Sequence, residues 1–176
     1  MTFEWFLLIY GIMDKKDLII SDFAKLWMAH DGLWFQAVES ELGLDSAIRL
    51  DKLAWSQFSP IEAKRILERL GKTPGGGTEL LAEALGQRLY AFLNEQTIVE
   101  KSERRLVFEM NTCRVQDARR RKNLDPFPCK EVGIVEYSTF AKAIDPRFET
   151  RCLQCPPDEY NGQHWCRWEL GIAGDS

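Results

Sequence analysis

The sequence predicts an α+β protein in which a helical N-terminal half packs on a small antiparallel sheet of about four strands. Apolar residues recur at helical spacing as far as about residue 96, and shorter alternating stretches follow. Most of the prolines and all five cysteines come after that change. A chain of 176 residues suits one domain. We therefore expect a single domain over 14–176, with a helical layer at 14–96 and the cysteine-bearing sheet and helices at 97–176.

The residues before this domain, 1–13, form a short apolar extension. It is too short to span a bilayer, which takes about 20 residues, and it lacks the basic start and cleavage site of a signal peptide. We expect a short packed segment; alternatively, the natural protein begins at Met13. The missing export signal predicts a cytoplasmic protein without a membrane partner, and cytosolic thiols stay reduced.

The first two predicted helices lie on either side of His30-Asp31-Gly32. One covers Lys15 to Ala29, with apolar residues on one face. The tripeptide is expected to interrupt or bend it. The second runs from Leu33 to Leu42 and ends at Gly43, a residue typical of helix C-termini.

Proline and glycine divide the rest of the helical half. Asp45 is expected to cap a helix that reaches Phe58, and Ser59-Pro60 to start another that ends at Gly71. After the loop at 73–77, Thr78 caps a long helix to about Asn94. The three glycines of that loop are not a phosphate loop, because no strand precedes them and no Lys-Ser or Lys-Thr follows.

Four strands and two helices are predicted in the C-terminal half. Alternation and turn residues place strands at 97–100, 105–110, 148–153 and 165–172. A short basic helix at 114–122 separates the second strand from a helix that begins at Cys129 and ends near Ile144.

Each cysteine lies at the boundary of one of these elements: Cys113, Cys129, Cys152, Cys155 and Cys166. Loops and helix starts can converge on one point, and a helix N-terminus favours the thiolate that zinc or an iron–sulfur cluster requires. Cys152 and Cys155 have the spacing of a metal knuckle, but no second such pair follows. The sequence predicts a metal site built on three or four of these thiols. A redox dithiol at Cys152 and Cys155 and reduced structural cysteines remain as alternatives.

Other polar side chains are candidates beside the thiols. Glu109 can face the same side as Cys113 and supply an oxygen ligand, or it is a solvent-facing carboxylate. His164 is a weaker candidate ligand. His30, next to a carboxylate, can act as an acid or base, or it can hold a helix bend. Glu136 can reach a pocket beside the cysteines.

The charge of the chain excludes broad nucleic-acid binding. The formal net charge is −4 and the pI about 5.3, whereas nucleic-acid binding needs a positive face. The basic run Arg119-Arg120-Arg121-Lys122 is a local exception. Because acidic residues flank it and no second basic element accompanies it, we interpret it as a solvated face.

The chain from about Asp14 onward resembles an uncharacterised prokaryotic family of unknown function. The resemblance rests on these stretches: Ala29-His30-Asp31-Gly32-Leu33-Trp34-Phe35, Asn94-Glu95-Gln96, Met110-Asn111-Thr112-Cys113-Arg114-Val115-Gln116, Phe127-Pro128-Cys129-Lys130, Gly133-Ile134-Val135-Glu136-Tyr137, Cys155-Pro156-Pro157-Asp158 and Trp165-Cys166. That family brings no assigned activity.

From Asn111 onward the chain also distantly resembles 4-vinyl reductase-type ligand-binding domains and the aminothiazoline-carboxylate hydrolases. The resemblance implies a zinc held by Glu109, Cys129, Cys155 and Cys166. Cys113 and Cys152 are additions to that pattern and leave the choice of thiols open. It also implies a homodimer formed through the helical layer. A further implication is an apolar ligand pocket lined by Trp34, Phe35, Phe108 and Tyr137.

Three functions follow from these observations. The first is a metal-binding domain, with zinc or alternatively an iron–sulfur cluster, beside a pocket for a small aromatic or heterocyclic molecule. The second is a hydrolase or reductase that uses metal-bound water or a thiolate, with His30 or Glu136 as proton carrier. The third is an interaction module whose cysteines are structural.

Overall fold

The structure is a computed structural model that describes residues 14–172. The described residues form five α-helices, one short 3₁₀ helix at Leu89–Phe92 and four strands. The helices are α1 (Lys15–Leu42), α2 (Leu44–Leu70), α3 (Gly77–Leu85), α4 (Arg114–Arg121) and α5 (Lys130–Ile144). The strands are β1 (Gln96–Lys101), β2 (Arg105–Met110), β3 (Phe148–Gln154) and β4 (Cys166–Ile172). The predicted extension at 1–13 lies outside the described residues.

Helix α1 is continuous through the tripeptide that was expected to bend it. Asp14 caps it by accepting a hydrogen bond from the Lys16 N–H, and Gly43 follows its last residue. The prediction of an interruption at residues 30–32 was wrong. Gly32 costs a helix about 1 kcal/mol relative to alanine, yet it keeps its backbone N–H, so the helical hydrogen bonds continue. None of the helices within 14–172 is long and apolar enough to cross a membrane.

Helix α2 is likewise one continuous helix where two helices were predicted. Pro60 lies inside it, although proline removes a backbone donor and crowds the preceding turn. Residues on both sides of Pro60 are buried, among them Trp55 and Ile66. Their packing keeps the two segments in line. Gly71 ends the helix in the left-handed conformation, as predicted.

Helix α3 stops nine residues before its predicted end because the chain turns to place Arg88 in the interior. The Leu89 N–H donates to Glu62 Oε1 at 3.1 Å, and Arg88 Nε donates to the other oxygen of the same carboxylate at 2.8 Å. A side chain of α2 thus takes the place of a helical carbonyl as acceptor. The short 3₁₀ helix then leads into β1.

The four strands form one antiparallel sheet in the order β1-β2-β4-β3. Alternate residues of β2 and β4 enter the core, where Phe108 pairs with Trp168 and Met110 with Cys166. The predicted α+β class, with helices in the N-terminal half and a four-stranded sheet after them, is confirmed.

Helix α5 packs both on the sheet and on the helical layer. It contacts β3 on one side and α2 on the other. Phe140 and Ile144 of α5 are fully buried in the core that β2 and β4 complete. The N-terminal end of α5, at Cys129, is thereby fixed over the sheet edge where β3 ends and β4 begins.

Candidate functional site

The ends of three elements bring cysteines together at this edge of the sheet. Cys129 precedes the first residue of α5, Cys155 follows the last residue of β3, and Cys166 opens β4. The sulfur atoms of Cys129 and Cys155 are 3.4 Å apart. That is far beyond the disulfide bond length of about 2.05 Å, and all five cysteines are free thiols. The thiols of Cys129 and Cys155 thus lie close together although they are far apart in the sequence, and the metal site on three or four thiols stays a prediction.

Cys155 is the centre of the group, which we call the thiol cluster: Cys129, Cys152, Cys155 and Cys166. Its thiol lies 3.4 Å from that of Cys129. Interactions with the Cys129, Cys152 and Cys166 thiols, together with burial, raise its pKa well above that of an ordinary thiol. The side chain is 1% exposed. Thiols grouped in this way are candidate soft ligands for a metal ion.

A β-bulge helps to place both cysteines of the Cys152-to-Cys155 knuckle. The register of β3 against β4 shifts between Cys152 and Gln154, which pair with Trp168 and Arg167. A bulge interrupts the strict alternation of side chains along a strand. Cys152 can consequently turn toward Cys155, and the hydrogen bond between their thiols lowers the pKa of Cys152.

Hydrogen bonds from neighbouring side chains fix the loops that carry the cluster. The Gln116 amide exchanges two hydrogen bonds with the Phe127 backbone, and its Nε2 lies 3.6 Å from Cys129 Sγ. Asp158 Oδ2 accepts from the Cys155 N–H at 3.2 Å, and Lys130 Nζ holds the other carboxylate oxygen at 2.6 Å. Such outer contacts orient metal ligands and stabilise thiolates.

Cys113 lies beside the cluster but outside it. It precedes α4, and its thiol is not among those that contact Cys155. Burial raises its pKa to about 12, and the charges of Cys129 and Cys166 add to the effect. Of the five thiols, Cys113 is therefore the one that the packing places outside the thiol cluster.

Glu109 lies on the opposite face of the sheet from the thiol cluster. Its strand neighbours Phe108 and Met110 point into the core, and Glu109 instead contacts His164 Nδ1 at 3.4 Å and Arg167 Nε at 3.3 Å. Side chains alternate between faces along a strand. This geometry separates both Glu109 and His164 from the sulfurs. Glu109, one of the four expected ligands, therefore faces away from the thiols.

The described side chains do not include a ready-made ligand sphere. Within 14–172, no group of three or more His, Cys, Asp or Glu residues already has the disposition of metal ligands. The sulfurs of Cys129 and Cys155 are 3.4 Å apart, so an ion would have to move them apart before it could bind both.

A cavity of about 410 Å³ adjoins the cluster and extends between α1, α2, α4 and α5. Cys113, Cys129, Cys155 and Cys166 line one end. Its walls are mainly aromatic and apolar: Phe35, Trp55, Tyr90, Met110, Phe127, Tyr137 and Trp168. This volume suits a small organic molecule.

Two of the four predicted pocket residues line this cavity and two do not. Phe35 and Tyr137 are in its wall. Trp34, one position along α1, is 68% exposed and points away from the cavity. Phe108 is buried in the core, where its ring packs on Tyr137. Helical and strand periodicity put neighbouring residues on different faces, which accounts for both differences.

A buried ion triad closes the cavity on the side of α2 and α5. Arg88 is 2% exposed and lies 2.8 Å from both Glu62 and Glu136. Its guanidinium also lies over the rings of Tyr137 and Phe140, at 5.4 and 4.5 Å. Burial raises the pKa of Glu136 to about 7, although Arg88 opposes the shift. Glu136, a predicted proton carrier, therefore lines the cavity with a carboxyl pKa raised above its ordinary value.

Two more carboxylates, Asp31 and Asp51, line the same cavity. Burial, followed by the charges of Asp31 and Glu136, raises the pKa of Asp51 to about 7. Burial also raises the pKa of Asp31, with His30 acting in the opposite direction. Arg88, Glu62 and Asp51 were not predicted, because their positions in the sequence do not distinguish them from surface charges.

His30, the other predicted proton carrier, is exposed on α1 and does not line the cavity. Its neighbour Asp31 does. One residue along a helix changes direction by about 100°, so only one of the pair can face inward. The structure brings Glu136 to the cavity and leaves His30 outside it.

The comparison with known proteins identifies a family. A family model described as "Family of unknown function (DUF6125)" matches residues 12–172. No curated protein and no solved structure matches this chain. The match includes the thiol cluster, the cavity and the whole sheet. The chain is a member of the DUF6125 family, whose function is unknown.

Proposed function

We propose that this protein binds a metal ion, zinc in the first place, through the thiol cluster and holds a small aromatic or heterocyclic molecule in the adjoining cavity. One observation carries the proposal: the sulfur atoms of Cys129 and Cys155 lie 3.4 Å apart at the wall of an apolar cavity, which Cys166 also lines. Soft thiolate ligands select zinc or iron–sulfur clusters over hard cations.

The spacing of the sulfurs supports zinc. Thiolates at about 2.3 Å from a tetrahedral zinc lie about 3.8 Å from one another. The 3.4 Å between Cys129 and Cys155 is only a few tenths of an ångström shorter. A small outward movement of the thiols would open a tetrahedral position, and the loops at Cys129 and Cys155 can supply it without altering the sheet.

The cavity supports the proposal that the protein holds a small aromatic or heterocyclic molecule. Aromatic rings form much of its wall, and such rings bind flat molecules through large contact areas. The distant resemblance to 4-vinyl reductase-type domains agrees with this reading. Four thiolates make a closed metal site, so the metal would shape one end of the cavity rather than react.

Elemental analysis tests the metal. Protein purified without chelator is expected to contain about one zinc per chain; an iron–sulfur cluster would instead give a brown protein with sulfur-to-iron absorption bands. The Cys155→Ser variant should lose the metal, and Cys113→Ser, the matched control outside the cluster, should keep it. Metal-free wild-type protein, or equal metal in wild type and Cys155→Ser, would overturn the proposal.

A metal- or thiolate-dependent hydrolase or reductase is the second candidate. Glu136 favours it, because a carboxyl with a pKa of about 7 in a cavity wall can carry a proton at neutral pH. Catalysis by zinc would need an open coordination position. Metal coordination by three thiolates and one solvent oxygen in X-ray absorption would support this candidate.

The third candidate, an interaction module with structural cysteines, predicts a different outcome. Cys155→Ser and Cys166→Ser would then retain both the stability and the metal content of the wild type. The thiols would be small buried side chains, as free cysteines often are.

We also propose that α1 mediates a homodimer. Five large apolar residues recur along one face of this helix and are 44–68% exposed: Ile19, Phe23, Leu26, Leu33 and Trp34. Soluble monomers seldom expose so continuous a stripe. A two-fold axis across α1 would bury the stripe against its own copy, since an isologous contact needs only one self-complementary surface.

A further inference from the structure

The charge inside the cavity limits what it can hold. Three carboxylates line it, those of Asp31, Asp51 and Glu136. Arg88 balances only part of this charge, because it is shared between Glu62 and Glu136. An uncompensated carboxylate in a low-dielectric site is costly and takes up either a proton or a cation.

Asp31 and Asp51 have no ion-pair partner in the described part of the chain. Asp51 accepts a hydrogen bond from the Trp55 side chain, and His30 acts on Asp31 only through its charge. Five basic residues line the cavity, but none forms an ion pair with these two carboxylates: Lys25, Arg114, Arg119, Arg121 and Lys122.

The basic residues are either engaged elsewhere or in water. Arg119 makes two hydrogen bonds to Glu39, at 2.7 and 3.0 Å, and Lys122 Nζ donates to Gln36. Lys25 and Arg121 are exposed at the mouth between α1 and α4. Solvent and salt screen charges at such a mouth far more than charges in the interior.

One unpartnered polar group in the cavity wall independently indicates a ligand. Tyr137 is 4% exposed and lines the cavity, and its hydroxyl has no hydrogen-bond partner within residues 14–172. The Nε1 donor of Trp168, which packs on Tyr137, also lacks an acceptor among these residues, but it is buried away from the cavity space. Buried polar groups are nearly always paired, so a bound molecule would satisfy the Tyr137 hydroxyl.

We propose that the cavity selects a small aromatic cation, an amine or a protonated nitrogen heterocycle, whose positive nitrogen meets Asp31 and Asp51 and whose ring lies among Trp55, Tyr90 and Trp168. This inference rests on the proposed function and specifies its ligand class. Carboxylates attract the nitrogen directly, and aromatic faces add a cation–π contribution. The Tyr137 hydroxyl is left to bind an acceptor atom elsewhere on the ligand.

The raised pKa values agree with this preference. Burial, followed by the charges of Asp31 and Glu136, raises the pKa of Asp51 to about 7, and burial also raises that of Glu136 to about 7. A bound cation would take the place of the protons that these carboxylates hold, so ligand and protons compete for the same carboxylates.

Three probes of nearly equal shape test how the charge of the ligand affects binding, independently of the shape of the ligand. Binding of benzylamine, benzyl alcohol and benzoate to the full-length, zinc-loaded protein is measured by calorimetry at about pH 8, where an alkyl amine is still protonated. The expected Kd of benzylamine is at least about tenfold lower than that of benzyl alcohol, the effect of one charge-assisted hydrogen bond. Benzoate should bind weakest.

Asp51→Asn and Asp31→Asn each keep the side-chain shape and remove one charge. Both variants should fold, as judged by circular dichroism, and should lose most of the preference for benzylamine over benzyl alcohol. Asp45→Asn is the matched control, because Asp45 is exposed on the same helix as Asp51 and does not line the cavity. It should retain the full preference.

The outcomes distinguish this inference from the proposal it rests on. Equal or tighter binding of benzyl alcohol or benzoate overturns the cation preference and leaves the aromatic cavity intact. A preference that persists in both Asp variants, or that Asp45→Asn abolishes equally, also overturns it. Binding of none of the probes overturns the aromatic pocket together with the inference.

Discussion

The indole ring of Trp168 lies against the backbone of Gly133, so that a Cβ built on Gly133 would be 2.6 Å from Trp168 Cζ2. Contacts of this length do not occur between carbon atoms that are not bonded, and Trp168 is fully buried on the sheet. Glycine at this position of α5 therefore allows the helix to approach β4 closely enough to enclose the cavity wall.

Gly133→Ala should lower the free energy of unfolding by about 1–3 kcal/mol, because an added methyl group overpacks the contact with Trp168. Urea unfolding measures the change. Gly32→Ala is the matched control: it is also inside a helix but has nothing within 4 Å of the added carbon. It should stabilise the protein by about 0.5–1 kcal/mol. A Gly133→Ala variant as stable as wild type would contradict the contact.

Replacing Arg88 with Met should destabilise the protein by about 3–5 kcal/mol, because it leaves Glu62 and Glu136 buried without a positive partner. Chemical unfolding near pH 8 measures the loss. Adding Glu62→Gln and Glu136→Gln to the same chain should recover much of it. Lys64→Met removes an exposed ion pair with Glu68 instead and should change stability by less than about 1 kcal/mol. Equal effects of Arg88→Met and Lys64→Met would refute the role of the triad.

Stability should fall as the pH rises from about 4 to about 7. Burial raises the pKa values of Asp51 and Glu136 to about 7 in the folded protein, whereas unfolded carboxyls titrate near 4. Between these values the folded state binds more protons than the unfolded state, so deprotonation favours unfolding. Thermal unfolding at a series of pH values measures the slope.

Asp51→Asn should flatten that slope and raise stability above about pH 7. Asp145→Asn is the control with the opposite sign, because hydrogen bonds with Arg147 lower the pKa of Asp145 to about 2. Loss of the Asp145 carboxylate should destabilise the protein at every pH above about 4. The slope of stability against pH between about 5 and 7 should stay unchanged. A wild-type protein whose stability rises over this range would show that neither carboxyl is shifted upward.

Removing the metal with a chelator should lower the midpoint of thermal unfolding, and adding zinc should restore it, since a metal that binds only the folded state stabilises that state. Scanning calorimetry measures both steps. Cys166→Ser should be insensitive to chelator, and Cys113→Ser should respond as the wild type does. Chelator sensitivity that follows Cys113 instead would move the site away from Cys155.

A charge in the exposed apolar stripe of α1 should abolish the proposed homodimer. Phe23→Glu places a carboxylate at the middle of the stripe, where a dimer would have to bury it. Light scattering after size exclusion gives the mass. Leu42→Glu is matched in exposure, at 61% against 65% for Phe23, but lies off the stripe by helical spacing. A monomeric wild type, or a dimer that survives Phe23→Glu, would refute the interface.

The amino-acid sequence alone determined the fold class, the four strands and the placement of four of the five cysteines at the boundary of an element, because these depend on local periodicity and turn residues; Cys152 lies inside β3. It did not predict that helices continue through Gly32 and Pro60, or that α3 ends before Gly86. At these positions packing against distant residues outweighs or adds to the local helix preference. Tertiary structure alone decided that Cys113 and Glu109 lie apart from the thiol cluster and that Asp31, Asp51 and Glu136 share one cavity with it. There are two physical reasons. Packing against the rest of the protein decides whether a given face of a helix or strand is buried, and a charged residue in the interior has the same pattern in the sequence as a charged residue at the surface.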